Sequence, residues 1–238
     1  MVKLKHKLPT FSTIDHLSLN EQTLQDLVKV TQALETEFVS VLESNKKLCS
    51  VNHELTKSVY DNFFQISLTE SEFNVDEIDI DNCETGYNSF HQTGKLTGVK
   101  QKKILSETSG SFLNENEYNK MTEYFNMYHE LFSEILSKFK SKPTRVRLVK
   151  LKAGTSISPH IDYDPSYAVR IIIPIIAKPE CINLFWVKNN VEATVFEPGK
   201  AYFLNTGYKH AVMNFSNEDR YTFMVSVNGT KDIEHLIT

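Results

Sequence analysis

The stretch RYTFMVSV, residues 220–227, decides the fold class of this 238-residue chain. Every second residue in it is apolar, namely Tyr221, Phe223, Val225 and Val227. Such alternation is typical of a β-strand with one face in the protein core. Arg220 and Thr222 therefore share the opposite face of the strand.

The same pattern extends over residues 144–228, where short β-type segments are separated by turn residues. The predicted strands are 145–152, 168–176, 182–187, 191–196, 201–204, 210–215 and 220–228. That many short strands after helices indicate an α+β protein with a double-sheet jelly-roll or cupin-like core. Pro174 inside an isoleucine-rich strand requires a sheet edge or a bulge.

Helices are predicted ahead of these strands. Residues 20–47 and 115–140 carry apolar residues at three- and four-residue steps, with Asn114 as the cap of the second helix and Pro143 as its stop. We expect both stripes to pack on the sheet, although a coiled coil or a partner helix would show the same stripe. Residues 54–64 predict a shorter helix, and residues 66–110 are assigned to strands and substrate-facing loops.

The chain is thereby divided into two regions that are expected to form one compact unit. Residues 1–143 form a mainly helical N-terminal region with some strands, which packs on the core and shapes a substrate pocket. Residues 144–238 form the β-structured core. This division rests on the change from helical to strand periodicity near residue 144.

His160, Asp162 and His210 have the residue types and spacing of a metal site. Because alternate side chains of a strand share a face, His160 and Asp162 can point at the same ion. The segment between Asp162 and His210 is long enough for antiparallel strands to bring the second histidine opposite the pair. Two imidazoles and one carboxylate hold one face of an octahedral Fe(II) and leave three positions open. A chance His-x-Asp pair is the alternative.

Arg220 follows His210 by ten residues and is a candidate anion-binding residue. Its guanidinium stays charged and presents a planar fork of donors, which suits a carboxylate at the closed end of a pocket. The hydroxyl of Thr222 could add a hydrogen bond to the same anion. The alternative for Arg220 is a solvated charge on an edge strand.

The four residues together resemble the signature of the Fe(II)/2-oxoglutarate-dependent oxygenases, a His-x-Asp pair, a distant His and an Arg shortly after it. Over residues 144–228 the chain is most similar to the aspartyl/asparaginyl β-hydroxylase group, which includes bacterial proline hydroxylases. The segments that carry this similarity are 148–154, 159–162, 170–174 and 210–214. Some members replace the acidic ligand by Gly, whereas this chain keeps Asp162.

The resemblance implies a double-stranded β-helix core, an Fe(II) ion held by His160, Asp162 and His210, and 2-oxoglutarate and O2 as cosubstrates. It places the C-5 carboxylate of 2-oxoglutarate at Arg220 and Thr222. The implied reaction is hydroxylation of an aliphatic C–H bond of an amino acid, free or within a peptide or protein.

Arg170 lies where the family commonly carries an arginine, and it is a candidate cofactor-binding residue. Two interpretations stay open, an anion or substrate contact and a structural ion pair with a residue such as Asp164. Asn205 and Asn214 flank His210 and either orient its second nitrogen or serve as turn and strand-end residues, the favoured interpretation.

Two other classes of function stay open. One is a non-catalytic β-barrel module that retains a metal site. The other is an oxygenase that acts on a nucleobase or a small metabolite, which generally needs a basic groove and an aromatic stacking pocket. The net charge of −4 argues modestly against a nucleic-acid partner.

Composition sets the remaining expectations. With 40% hydrophobic and 24% charged residues, the chain can bury a sizeable core. Cys49, Cys83 and Cys181 are odd in number and widely spaced, which suits a reducing compartment. Neither a signal peptide nor a membrane span is indicated, so a cytoplasmic location is expected. The oligomeric state is left open.

Overall fold

The computed structural model describes residues 4–40, 62–70 and 118–238. Its strands form a seven-stranded antiparallel sheet, a four-stranded antiparallel sheet and a two-stranded ribbon. The four-stranded sheet covers one face of the larger sheet, and helices cover the other. This arrangement confirms the predicted jelly-roll core with helices packed against it.

Strands are numbered in chain order over the described residues. They are β1 (Phe11–Thr13), β2 (Val39–Ser40), β3 (Phe63–Ser67), β4 (Thr69–Glu70), β5 (Lys120–Met121), β6 (Lys142–Leu151), β7 (Thr155–His160), β8 (Val169–Ile176), β9 (Cys181–Val187), β10 (Asn190–Val195), β11 (Tyr202–Leu204), β12 (Lys209–Asn214) and β13 (Arg220–Asn228). The large sheet has the order β1-β11-β8-β13-β6-β3-β2, the smaller one β10-β9-β12-β7, and β4 pairs with β5.

The helices are α1 (Glu21–Ala33), α2 (Glu123–Met127) and α3 (His129–Ser137), with short 3-10 turns at Leu4–Lys7, Asp15–Leu17, Glu35–Glu37 and Glu234–Leu236. Helix α1 begins where the Asn20 side chain accepts a hydrogen bond from the Thr23 amide. Among the described residues, no helix is long and apolar enough to cross a bilayer.

Both long helices are shorter than predicted, because tertiary contacts override the helical pattern. Helix α1 ends at Ala33, after which the Glu35 carboxylate contacts the Lys150 ammonium and the Phe38 ring packs on Tyr221. Residues 41–47 lie outside the described residues.

The second predicted helix begins only after Thr122. The Thr122 hydroxyl caps α2 at the Phe125 amide and also donates to the Ser67 carbonyl. Its predicted cap Asn114 lies outside the described residues, and Pro143 lies in β6. The predicted helix over 54–64 is wrong at its end, since Phe63 begins β3, and residues 54–61 are not described.

The predicted strands over residues 145–228 are confirmed to within a few residues, and the prediction for Pro174 holds. The register between β8 and β13 shifts there, with Tyr221 opposite Ile176 and Thr222 opposite Pro174, so Ile175 forms a bulge. Strand β7 was not predicted. The strands β1, β2 and β3 pair within the same sheet as the later strands, and the boundary near residue 143 stays a prediction.

Candidate metal centre and anion pocket

The metal-binding candidates are brought together by two neighbouring strands. His160 ends β7 and His210 lies near the start of β12, and the two are direct partners in the antiparallel register. The candidate ligand atoms of His160, Asp162 and His210 all lie within 4.8 Å of one another. The Asp162 carboxylate lies 3.5 Å from Nε2 of His160 and 3.9 Å from Nε2 of His210. Two nitrogens and a carboxylate oxygen therefore converge on one point.

Asp162 is not part of the strand, although alternation along one strand was the basis for pairing it with His160. Strand β7 ends at His160, and the Asp162 amide donates to the Thr206 carbonyl in the loop before β12. The carboxylate thus reaches the two imidazoles from a connecting segment held to the His210 side of the barrel.

Backbone carbonyls orient both imidazoles. Nδ1 of His160 lies 2.8 Å from the Ser158 carbonyl, and Nδ1 of His210 lies 3.0 Å from the Tyr208 carbonyl. Because a carbonyl oxygen only accepts, Nδ1 carries the proton in each ring and Nε2 keeps its lone pair. Both rings thereby turn a metal-binding nitrogen toward Asp162.

The protonation states suit a metal site. Burial, with the charge of nearby His160, lowers the pKa of His210 to about 4, so that its imidazole is neutral at neutral pH. Burial acts to raise the pKa of Asp162, but the charges of His160, His210 and Arg170 outweigh it and bring the pKa below its usual value. A neutral imidazole beside an ionised carboxylate is the donor set that Fe(II) accepts. The residues present therefore fit the metal that the sequence implies.

Arg220 and Thr222 lie together at the wall of a largely apolar cavity between the two sheets. The apolar lining consists of Phe63, Val149, Leu151, Ile157, Ile172, Leu204, Val212 and Met224, and the polar lining of Asn183, Arg220 and Thr222. Ile157 and Val212 belong to β7 and β12, the strands that carry the two histidines. The cavity thus lies beside the metal-binding candidates.

Arg220 is a buried cation without an acidic partner among the described residues. Its side chain is on the central strand β13 and the residue is 6% exposed, so the alternative of a solvated edge-strand charge is wrong. Nη1 donates to Oδ1 of Asn183 at 3.3 Å, and Nε has no partner. Burial lowers the pKa of Arg220 to about 10, which leaves it charged at neutral pH. A buried charge of this kind calls for an incoming anion.

Arg170 lies beside the metal-binding carboxylate. Its Nη1 is 3.8 Å from Oδ2 of Asp162, and its guanidinium donates to the Tyr163 hydroxyl and lies over the Tyr163 ring. Asp164, the partner suggested by the sequence, accepts from the amides of Lys5 and Ser166. The structure therefore gives Arg170 an ion pair, with Asp162 as the acid.

The remaining polar candidates have structural roles. The Asn205 amide donates to the carbonyls of Lys5 and Pro9, and the Asn214 amide donates to those of Leu151 and Glu218. This confirms the favoured interpretation of both asparagines. His129 is exposed on α3 and contacts Ser133, whereas Cys49 and Cys83 lie outside the described residues. Cys181 is buried and free.

The sequence prediction missed Asn183 and Arg147. Both are buried on strand faces that point into the barrel, and Arg147 is 5% exposed. The available signal was a polar residue at an alternating position that should face the core, in the segments 145–151 and 181–187.

Comparisons with known proteins agree with this architecture. The family model described as aspartyl/asparaginyl beta-hydroxylase matches residues 100–229. No curated protein matches the chain.

Solved structures include similar folds at low sequence identity. A Trichoplax adhaerens prolyl hydroxylase, in complex with a peptide fragment of the hypoxia inducible factor oxygen degradation domain, has a TM-score of 0.51 and 10% identity, and the match covers 97% of this chain and 89% of that one. For a Pseudomonas putida prolyl-4-hydroxylase the TM-score is 0.48, the identity 10% and the coverage 92% and 93%. For a 2OG-Fe(II) oxygenase family oxidoreductase from Burkholderia pseudomallei these values are 0.36, 10%, 69% and 66%.

Proposed function

The chain belongs to the aspartyl/asparaginyl β-hydroxylase family of Fe(II)- and 2-oxoglutarate-dependent dioxygenases, and from that premise we propose that it hydroxylates an aliphatic C–H bond of an amino acid, free or within a peptide or protein. The observation that carries this proposal is the pairing of a His-Asp-His cluster with an adjacent apolar cavity that contains a buried, acid-free arginine. A metal site alone would not need that arginine.

Each residue has a proposed role. His160, Asp162 and His210 hold Fe(II), and their backbone hydrogen bonds keep both Nε2 atoms available to it. Arg220 and Thr222 bind the C-5 carboxylate of 2-oxoglutarate, and Asn183 keeps one Nη of Arg220 in place. Arg170 acts through its ion pair with Asp162, which favours the ionised carboxylate.

When bound, Fe(II) and 2-oxoglutarate supply the oxidising chemistry, in which O2 gives one oxygen atom to succinate with release of CO2 and the other to the substrate C–H bond. The protein positions the reactants. Its apolar lining, which includes Leu151, Ile157 and Val212, excludes water from the region between the metal cluster and Arg220. Exclusion of water also strengthens the attraction between Arg220 and a carboxylate.

The substrate class is inferred from the family. The Trichoplax adhaerens enzyme binds a peptide in its complex, which is a reason to include peptides among the compounds tested. The experiment loads the protein anaerobically with Fe(II) and 2-oxoglutarate, admits O2, and screens amino acids and peptides for substrate-stimulated succinate formation.

The variant His210→Ala provides the test of the site. We expect it to lose Fe(II) binding and to reduce succinate formation by roughly 1,000-fold or more, because one of three ligands is removed. His129→Ala is the matched control, since His129 is an exposed histidine on α3. Full succinate formation by His210→Ala would contradict the assignment. Metal binding without succinate from any compound would support the non-catalytic module.

A further inference from the structure

A second buried arginine in the barrel has no acidic partner among the described residues. Arg147 lies on β6 and is 5% exposed. Its Nη1 donates to Oε1 of Gln65 at 3.0 Å, its Nη2 contacts Sδ of Met224 at 3.1 Å, and its buried Nε has no partner. An amide and a thioether leave the positive charge of the guanidinium uncompensated.

Arg147 lies farther along the barrel than Arg220. In the register between β6 and β13, Arg147 is opposite Met224, whereas Arg220 is opposite Leu151. Four residues of strand separate Arg220 from Met224, about 13 Å at about 3.3 Å per residue. Met224 lines the cavity that Arg220 also lines, so the cavity is bounded by one cation on β13 and by a second one behind Met224.

The electrostatic surroundings of Arg147 are those of the metal site. Burial, followed by the like charges of Arg145 and Arg170, lowers the pKa of Arg147 well below its usual value, and the Asp162 carboxylate opposes that change. Asp162 is already paired with Arg170 at 3.8 Å. A carboxylate that arrived beside Arg147 would therefore supply the compensating charge that the chain itself does not.

We propose that Arg147, with the Gln65 side chain, binds a carboxylate of the substrate and so selects for acidic substrates. The inference rests on the proposed function, in which 2-oxoglutarate occupies Arg220 and leaves Arg147 for the second reactant. The carboxylate is either the α-carboxylate of a free amino acid or the side-chain carboxylate of an acidic residue in a peptide. Met224 separates the two anion sites by contacting Arg147 and lining the cavity.

Binding of a small carboxylate tests the site without turnover. The protein is loaded with Fe(II) and 2-oxoglutarate in the absence of O2 and titrated with acetate, with acetamide at equal ionic strength as the neutral analogue. We expect the dissociation constant for acetate to rise at least about tenfold in Arg147→Met. Arg147→Lys, which keeps the charge, should retain an intermediate affinity and protects against a folding failure of the first variant.

Lys178→Met is the matched control, because it removes one positive charge from an exposed ion pair with Glu218. It should bind acetate as the unmodified protein does. Equal responses to acetate and acetamide, or an unchanged acetate affinity in Arg147→Met, would overturn the proposal. Failure of the proposed function would appear separately, as absence of any stabilisation by Fe(II) and 2-oxoglutarate.

The source of the carboxylate is resolved by matched pairs in the succinate assay. Each free amino acid is compared with its α-amide, and each Asp- or Glu-containing peptide with its Asn or Gln counterpart. A loss of stimulation of about tenfold or more on amidation of one partner identifies which carboxylate Arg147 binds. Equal stimulation by acid and amide in every pair that is turned over would sink the assignment.

Discussion

The two faces of the seven-stranded sheet come from the same strands and have opposite chemistry. On the face that packs against α1 and α3, the buried residues of β8 and β13 are apolar, among them Ile171, Ile173, Phe223 and Val225. The face toward the smaller sheet carries Arg147, Arg170, Arg220, Thr222 and Ser226, which are equally buried. Burial therefore does not separate structural from functional residues in this protein. The side of the strand on which a residue lies does.

Neighbouring residues on β13 allow this difference to be tested, and Phe223→Ala should have the largest effect. Phe223 is fully buried and stacks on Phe132 with ring centroids 6.1 Å apart. We expect the free energy of unfolding, measured in urea, to fall by about 3–5 kcal/mol, because the deletion leaves a cavity. The affinity of the folded variant for 2-oxoglutarate should be unchanged. A large loss of that affinity would mean that the two faces are not independent.

Arg220→Met should show the reverse behaviour. We expect the dissociation constant for 2-oxoglutarate to rise about 100-fold, since a charge-assisted pair in a dry pocket is lost. The free energy of unfolding should stay level or increase, because a buried cation without an acidic partner is replaced by an apolar side chain. Calorimetric titration and urea unfolding measure the two quantities. Wild-type affinity for 2-oxoglutarate in this variant would show that the anion pocket is wrongly assigned.

Asn183→Ala should have the smallest effect and would sharpen the comparison within the inner face. The variant removes the oxygen that accepts from Nη1 of Arg220, so the KM for 2-oxoglutarate should rise roughly 5- to 10-fold while kcat stays nearly constant. Asn183→Asp is the informative companion. Its carboxylate would neutralise Arg220 in place of the cosubstrate, and 2-oxoglutarate should bind more weakly than to the alanine variant. Tighter binding to Asn183→Asp would contradict a positioning role for Asn183.

Alternation and spacing were enough to predict the strands that carry the site. His160, Asp162 and His210 come together as their spacing indicated, and Arg220 and Thr222 share a wall of the cavity because they share a face of β13. These predictions depend on the two-residue period of a strand, which a local sequence expresses fully. Their roles as iron and cosubstrate ligands, and the cytoplasmic location, stay predictions.

The features that sequence did not predict depend on contacts between distant segments. Strand β7 contains Ser156, Ser158 and Pro159 and lacks a clear apolar alternation, so its pairing with β12 sets its conformation. The end of α1 depends on Lys150, which is remote in sequence from Glu35. Arg147 is recognisable as unusual only once its burial and the absence of an acid beside it are known.

The central position of β13 has a consequence for synthesis of the protein. Its partners β6 and β8 are translated first, yet the strand between them ends only at Asn228, and the Asn205 amide must still reach back to the carbonyl of Lys5. A growing chain on the ribosome therefore holds two apolar strands with unsatisfied edges until almost all of its residues have emerged. Pairing across such sequence separations is slow, which makes the nascent chain a natural client for chaperones that shield strand edges.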